Sequence, residues 1–201
     1  MKLLYKGFYK SEEQLPKGAL PANAVKFIEP DNFNQFFTKA ALFIIPSVLA
    51  IMLLMYLSYL LHGALVFDIT WIGIALYFLT LLPHEILHAL CFGKNAEVEL
   101  YIASMALFVT STQPISKARF IFLSLFPSLL FGWLPMLIWV ILPHNEIYSN
   151  HLFTFATLSI VTGIGDYLNV FNALRQAPNG SICQLSGFHS YWYMPETELR
   201  S

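Results

Sequence analysis

Four long apolar blocks dominate this sequence, at residues 40–61, 69–92, 120–142 and 151–174. A helix needs about 20 apolar residues to cross the hydrocarbon core of a bilayer, and each block is that long. Only 11% of the residues are charged, against roughly 25% in ordinary soluble domains. We therefore predict a mainly α protein, a polytopic membrane bundle of four transmembrane helices.

The basic residues are distributed unevenly relative to these four predicted spans. With four crossings, residues 1–39, the loop 93–119 and the tail 175–201 lie on one side of the membrane. Every basic residue belongs to these three segments: Lys2, Lys6, Lys10, Lys17, Lys26, Lys39, Lys94, Lys117, Arg119, Arg175 and Arg200. The positive-inside rule then predicts a multi-pass protein of the cell membrane with both termini in the cytoplasm. Its expected surroundings are the lipid bilayer, and no nucleic-acid partner is predicted.

The segments outside the spans differ in their patterns. Residues 1–39 carry prolines and scattered lysines without clear periodicity, which predicts an irregular cytoplasmic lead-in with no assigned function. Residues 97–102 alternate polar and apolar side chains and lead into 106–110, so we predict a small β-hairpin or ribbon on the cytoplasmic side. The aromatic, turn-rich tail 175–201 is compatible with short strands. No linker divides the chain, so we predict one membrane-embedded domain.

The second apolar block contains an HExxH motif, His84-Glu85-Ile86-Leu87-His88. A helix places residues four apart on one face, so both imidazoles can bind one zinc ion while Glu85 reaches a water molecule on it. A charged side chain at the centre of a bilayer costs roughly 2.5–3.5 kcal/mol, so three ionisable groups here indicate a function. The alternative is that both histidines only form hydrogen bonds within the bundle and Glu85 is a buried neutral acid.

Asp166 is predicted to be the third zinc ligand from its depth in the membrane. If the second span ends near Phe92, His84 lies about 12 Å below the boundary at about 1.5 Å per residue. The fourth span runs the opposite way and ends near Leu174, which places Asp166 at about the same depth. Asp166 is also the only acidic residue within the first, third and fourth predicted spans.

Other ligands remain open or are excluded by distance. Glu97, Glu99 and His189 lie on the same side as the motif and could fold inward, so they remain alternative third ligands. Cys91 lies about two helical turns from an ion held by both histidines, which is too far. The remaining candidates belong to the far membrane edge and are predicted to be solvated loop residues: His62, Asp68, His144, Glu146 and His151.

These residues resemble a family of zincin peptidases, small bacterial membrane proteins related in layout to site-2 proteases. The resemblance covers residues 40–174 and is carried by the HExxH motif, the strand-like segment after it and the stretch Gly163-Ile164-Gly165-Asp166-Tyr167-Leu168-Asn169. In site-2 proteases a later Asn-Pro-Asp-Gly type of motif supplies an aspartate as the third zinc ligand. By position, the resemblance implies that role for Asp166, although Tyr167 replaces the glycine and no Asn-Pro precedes it.

The predicted function is zinc-dependent hydrolysis of peptide bonds in membrane-protein or peptide substrates near the cytoplasmic side of the bilayer. One zinc per chain would be held by His84, His88 and Asp166, and Glu85 would be the general base. The ribbon at residues 98–109 could present an unwound substrate by β-addition. The alternatives are a catalytically inactive zinc-binding scaffold or regulator, and a small transporter.

Overall fold

Helices form most of this protein in the computed structural model, which describes residues 1–103 and 106–195. Their bounds are α1 (Phe33–Ala40), α2 (Ile44–His62), α3 (Trp71–Phe92), α4 (Lys117–Ser128), α5 (Leu134–Ile141), α6 (Glu146–Thr162) and α7 (Ile164–Gln176). A 3-10 turn joins α1 to α2, and a π-helical segment at Leu129–Trp133 joins α4 to α5. The described part of the chain excludes two residues of the predicted ribbon, Ser104 and Met105. It also excludes Arg200, one of the predicted cytoplasmic basic residues, and the side chain of Glu146.

Three helical runs are long and apolar enough to cross a membrane: Phe33–His62, Trp71–Phe92 and Lys117–Ile141. Many large apolar side chains of α2 face outward, among them Leu49, Met52 and Leu53. A helix that exposes such side chains is suited to contact with lipid rather than water. This is the pattern of a membrane protein.

The fourth apolar block differs from the continuous helix that hydropathy predicted. It is divided at Gly163 into α6, with 17 residues, and α7, with 13 residues. Each is shorter than the roughly 20 residues that a straight crossing needs. The described residues therefore contain three span-length helices, and the predicted total of four is not established by them.

Two small β-sheets lie beside the C-terminal end of α3. The first contains β1 (Lys2–Phe8), β3 (Glu97–Ile102) and β4 (Leu107–Thr110) in the order β1-β3-β4. The second contains β2 (Val25–Lys26), β5 (Ile115–Ser116), β6 (Ile182–Ser186) and β7 (His189–Tyr193) in the order β2-β7-β6-β5. The antiparallel β3–β4 pair confirms the predicted hairpin, and β6 and β7 are the short strands compatible with the tail.

The prediction of an irregular lead-in was wrong for its first residues. Strand β1 pairs in parallel with β3, from Lys2 opposite Glu97 to Phe8 opposite Ile102. The pair is reinforced on one face, where Lys6 Nζ lies 2.8 Å from a Glu99 carboxylate oxygen. A parallel partner so distant in sequence leaves no local signal, which is why the lead-in appeared patternless.

The buried apolar residues form two clusters at different levels of the helical bundle. One joins the sheets to the ends of α3, α4 and α7 and includes Phe92, Val98, Phe120, Ala173 and Cys183. The other lies between α2, α5 and α6 and includes Ile51, Met136, Trp139, Phe153 and Ile160. The HExxH motif lies on α3 immediately before Ala89, which is the first residue of this helix that belongs to the first cluster.

Candidate active site

The HExxH motif lines a cavity of about 630 Å³. Helix α3 contributes His84, Glu85 and His88 to its wall, while α7 contributes Asp166 and the strand β4 contributes its whole length. Pro83 lies inside α3, and the helix continues through it to Phe92. The motif therefore faces a space large enough to admit part of a polypeptide.

The structure brings Asp166 into contact with both imidazoles of the motif. One carboxylate oxygen lies 3.2 Å from His84 Nε2, and the other lies 3.3 Å from His88 Nε2. The two rings lie 4.8 Å apart, centre to centre. All three side chains are largely buried, so two helices distant in sequence converge on one polar point.

The division of the fourth block at Gly163 explains how Asp166 reaches this point. Asp166 lies in the first turn of α7, where free backbone N–H groups and the helix dipole favour a carboxylate. A side chain at Gly163 would have its Cβ only 2.5 Å from Ser128 Oγ. The absence of a side chain there therefore lets α7 begin against α4.

His88 is oriented by a backbone carbonyl on α4. Its Nδ1 lies 2.7 Å from the carbonyl oxygen of Leu123, and N–H donation to that oxygen directs Nε2 toward Asp166. In a regular helix this carbonyl would accept the N–H of residue 127, but that residue is proline and has no N–H. We did not predict this contact from the sequence. Pro127 could have indicated it, because a proline there leaves the Leu123 carbonyl without its usual helical donor.

A second polar contact fixes Asp166 itself. Ser128 Oγ donates a hydrogen bond to Asp166 Oδ2 at 3.2 Å. The next residue of α7, Tyr167, accepts from Trp133 Nε1 at 3.1 Å and donates to the carbonyl of Ile160 at 3.1 Å. Ser128 precedes the π-helical segment and Trp133 is its last residue, and such segments often occur at functional sites. Tyr167 therefore joins α7 to its neighbours.

Glu85 lies within 4.8 Å of the nearest ligand atoms of His84 and His88, and its side chain is buried. Val109 of β4 lines the same cavity. Glu85 and Asp166 are therefore two carboxylates beside the same pair of histidines.

The alternative ligands from the sequence have other partners. Glu97 pairs with Lys2, Glu99 pairs with Lys6, and His189 lies beside two carboxylates of the lead-in. Asp166 is the candidate that the structure places against the two histidines.

The histidines of the far edge are less solvated than we predicted. His144 stacks on Trp139, with ring centres 5.1 Å apart, and its Nε2 lies 3.0 Å from Ser58 Oγ. Burial lowers the pKa of His144 below its usual value. His62 lies beside it, and His151 contacts Thr70. The interpretation of His144 as a solvated loop residue was therefore wrong, because the end of the bundle packs over it.

The donor atoms fit a zinc ion. Two imidazole nitrogens and a carboxylate are ligands typical of catalytic zinc. With zinc–ligand bonds of about 2.0–2.1 Å, neighbouring ligand atoms of a tetrahedral site are about 3.3 Å apart. Each imidazole Nε2 lies at about this spacing from one oxygen of Asp166, 3.2 Å for His84 and 3.3 Å for His88, and the two contacts use different oxygens of the carboxylate. Three protein ligands also leave one position open, as in catalytic sites.

A buried HExxH pair with a carboxylate from another helix is the site of a zincin, here within a membrane-type helical fold. The model of the family described as "Putative zincin peptidase" matches residues 77–182. The match covers more than half of the chain, and the protein belongs to this family. It includes the HExxH motif, β3, β4 and Asp166, but not the lead-in or α2. No curated protein and no solved structure matches the chain.

Proposed function

We propose that this protein is a membrane-embedded zinc metalloprotease that cleaves membrane-associated protein substrates. The observation that carries the proposal is the convergence of His84, His88 and Asp166 beside the buried carboxylate of Glu85, in a cavity open to a polypeptide. His84, His88 and Asp166 would hold one zinc per chain. Membership of a zincin family supports this assignment.

Glu85 is the general base of the proposed reaction. Zinc supplies a Lewis acid that makes water more acidic and polarises a carbonyl. Glu85 accepts the proton of the attacking water and donates it to the amine that leaves. The carbonyl of Leu123 and the hydroxyl of Ser128 hold His88 and Asp166 in place during this step.

We place the reaction near the cytoplasmic side of the cell membrane. The argument is the distribution of the basic residues, all 11 of which lie in segments flanking the predicted spans on one side. Helices α6 and α7 together would make the fourth crossing. A helix break at membrane depth is tolerated where it is buried in protein or lines a cavity, and Asp166 lines one.

Strand β4 is the proposed binding edge for the substrate. Among the described residues it pairs with β3 alone, and Ala103 N–H donates to the carbonyl of Ala106. Hydrogen-bonded pairs alternate along an antiparallel ladder, so the polar backbone groups of Leu107 and Val109 point away from β3. Val109 lines the cavity together with Glu85. A substrate must be unwound from a helix before cleavage, and the extended segment could pair with this edge.

Replacing Leu107 with proline is expected to impair cleavage of a membrane substrate about two- to tenfold. Proline removes the outward N–H at position 107 and spares the ladder to β3, because edge strands tolerate proline. One lost backbone hydrogen bond is consistent with an effect of this size. The measurement is the cleavage rate in lipid vesicles, with Leu107→Ala as a control that removes the same side chain and keeps the N–H. Equal rates for both variants would argue against binding at β4.

Removing the metal is expected to stop hydrolysis, and adding zinc back is expected to restore it. Chelation leaves Glu85 without a polarised water or carbonyl partner. Cleavage of a single-span substrate by the purified protein should therefore follow zinc occupancy, with magnesium as a control because it prefers oxygen ligands. Undiminished cleavage in the chelated protein would exclude a zinc protease.

A further inference from the structure

Glu29 is a buried carboxylate on the wall of the same cavity. It follows β2, and its side chain is only 9% exposed. It accepts a hydrogen bond from the backbone N–H of Ser190 in β7. The lead-in, which lies outside the family match, thus places an acidic group in the space that holds the HExxH motif.

The charge of Glu29 has little compensation from its neighbours. His189 Nδ1 lies 3.6 Å away, but burial lowers the pKa of His189 and favours its neutral form. Lys26 is close enough to oppose the rise in the pKa of Glu29, but its ion pair is with the exposed Asp31, at 3.6 Å. Burial raises the pKa of Glu29 to about 7. A cation entering the cavity would therefore find a carboxylate without a strong charged partner.

Aromatic rings line the cavity together with Glu29. Phe33, four residues further along the chain at the start of α1, lies 5.1 Å from Phe108 of β4 and 5.1 Å from Phe188, centre to centre. All three rings line the cavity. A carboxylate with aromatic walls suits a side chain with an apolar stem and a positive end, because rings attract cations and cover methylene groups.

We propose that Glu29 is a specificity residue that binds a lysine or arginine side chain of the peptide held in the cavity. The inference rests on the proposed peptidase function and names its substrate class, a segment with a basic residue near the cleaved bond. Membrane proteins carry such residues where their helices meet the cytoplasm. Glu29, Pro30 and Phe33 then form a substrate-binding wall, and their segment is not merely a link between β2 and α1.

The test measures peptide binding to Glu85→Gln protein in detergent, so that no catalysis is needed. We would compare pairs of apolar peptides that differ only in carrying lysine or norleucine at one position. That position would be moved along the peptide from one pair to the next. The lysine peptide is expected to bind about tenfold more tightly at one position, the effect of one charge-assisted hydrogen bond. Adding Glu29→Gln should remove this preference. Glu13→Gln, the control at an exposed carboxylate of the lead-in that does not line the cavity, should keep it.

A second measurement needs no substitution of Glu29. Carbodiimide labelling of Glu29, followed by mass spectrometry, should fall when the lysine peptide is present and stay unchanged with the norleucine peptide. Equal affinity for the two peptides, an unchanged preference in Glu29→Gln, or no protection from labelling would overturn the proposal. Lysine preference without any hydrolysis by the wild type would instead contradict only the peptidase function.

Discussion

Replacing Glu85 with glutamine is expected to abolish peptide hydrolysis while the zinc content stays at about one per chain. Glutamine keeps the shape of the side chain but cannot accept the proton of the attacking water. Loss of a general base costs typically 10²–10⁴-fold in rate. The metal should remain, because Asp166 contacts His84 and His88 and Glu85 does not need to be a ligand. Cleavage rate and metal content, measured on one preparation, check both parts.

The matched control is Glu97→Gln, which makes the same chemical change at an exposed carboxylate paired with Lys2. It should retain both activity and zinc. This experiment also separates the protease from the inactive zinc-binding scaffold, since a scaffold would have no hydrolysis for Glu85→Gln to remove. Loss of zinc in Glu85→Gln would mean that Glu85 is itself a ligand, and the role of base would then need another residue.

Replacing Asp166 with alanine is expected to remove zinc from the protein. The change deletes one of three ligands and leaves His84 and His88 without the carboxylate that contacts both. Replacing a residue that only orients a metal ligand weakens metal binding by about 10–100-fold. Replacing the ligand itself should therefore weaken zinc binding by more than about 100-fold. Metal analysis of the purified variant beside wild type and His84→Ala provides the measurement.

Asn169→Ala is the control for Asp166. Asn169 lies one turn further along α7 and lines the same cavity, and it does not contact either histidine in the described hydrogen bonds and ion pairs. We expect this variant to bind zinc like the wild type. If Asp166→Ala retained a full zinc ion while His84→Ala lost it, Asp166 would not be the third ligand.

Local patterns were sufficient for several features. The alternation at residues 97–102 predicted β3, and the length and polarity of the apolar blocks predicted α2 and α3 within a few residues. The HExxH spacing indicated the histidine face of α3 because four residues make about one helical turn. These features depend on neighbours in the chain, so their signals are contained in short windows.

Other features depend on pairs of segments far apart in the chain. Strand β1 becomes a strand by pairing with β3, and the block predicted as one helix divides at Gly163, where α7 approaches Ser128 of α4. The contact between His88 and the Leu123 carbonyl likewise requires α3 and α4 to pack side by side. Hydropathy averages over such breaks and contacts and therefore does not detect them.

The amino-acid sequence alone determined that this chain carries long apolar helices, with two histidines and a glutamate on one of them and a single acidic residue within the last apolar block. Helical periodicity and the cost of burying charge require no more than local information. Only the tertiary structure decided that Asp166 contacts both imidazoles, that β4 leaves an edge beside Glu85, and that Glu29 lines the same cavity. The physical reason is that packing between distant segments, rather than the properties of any one segment, sets the distances on which the chemistry depends.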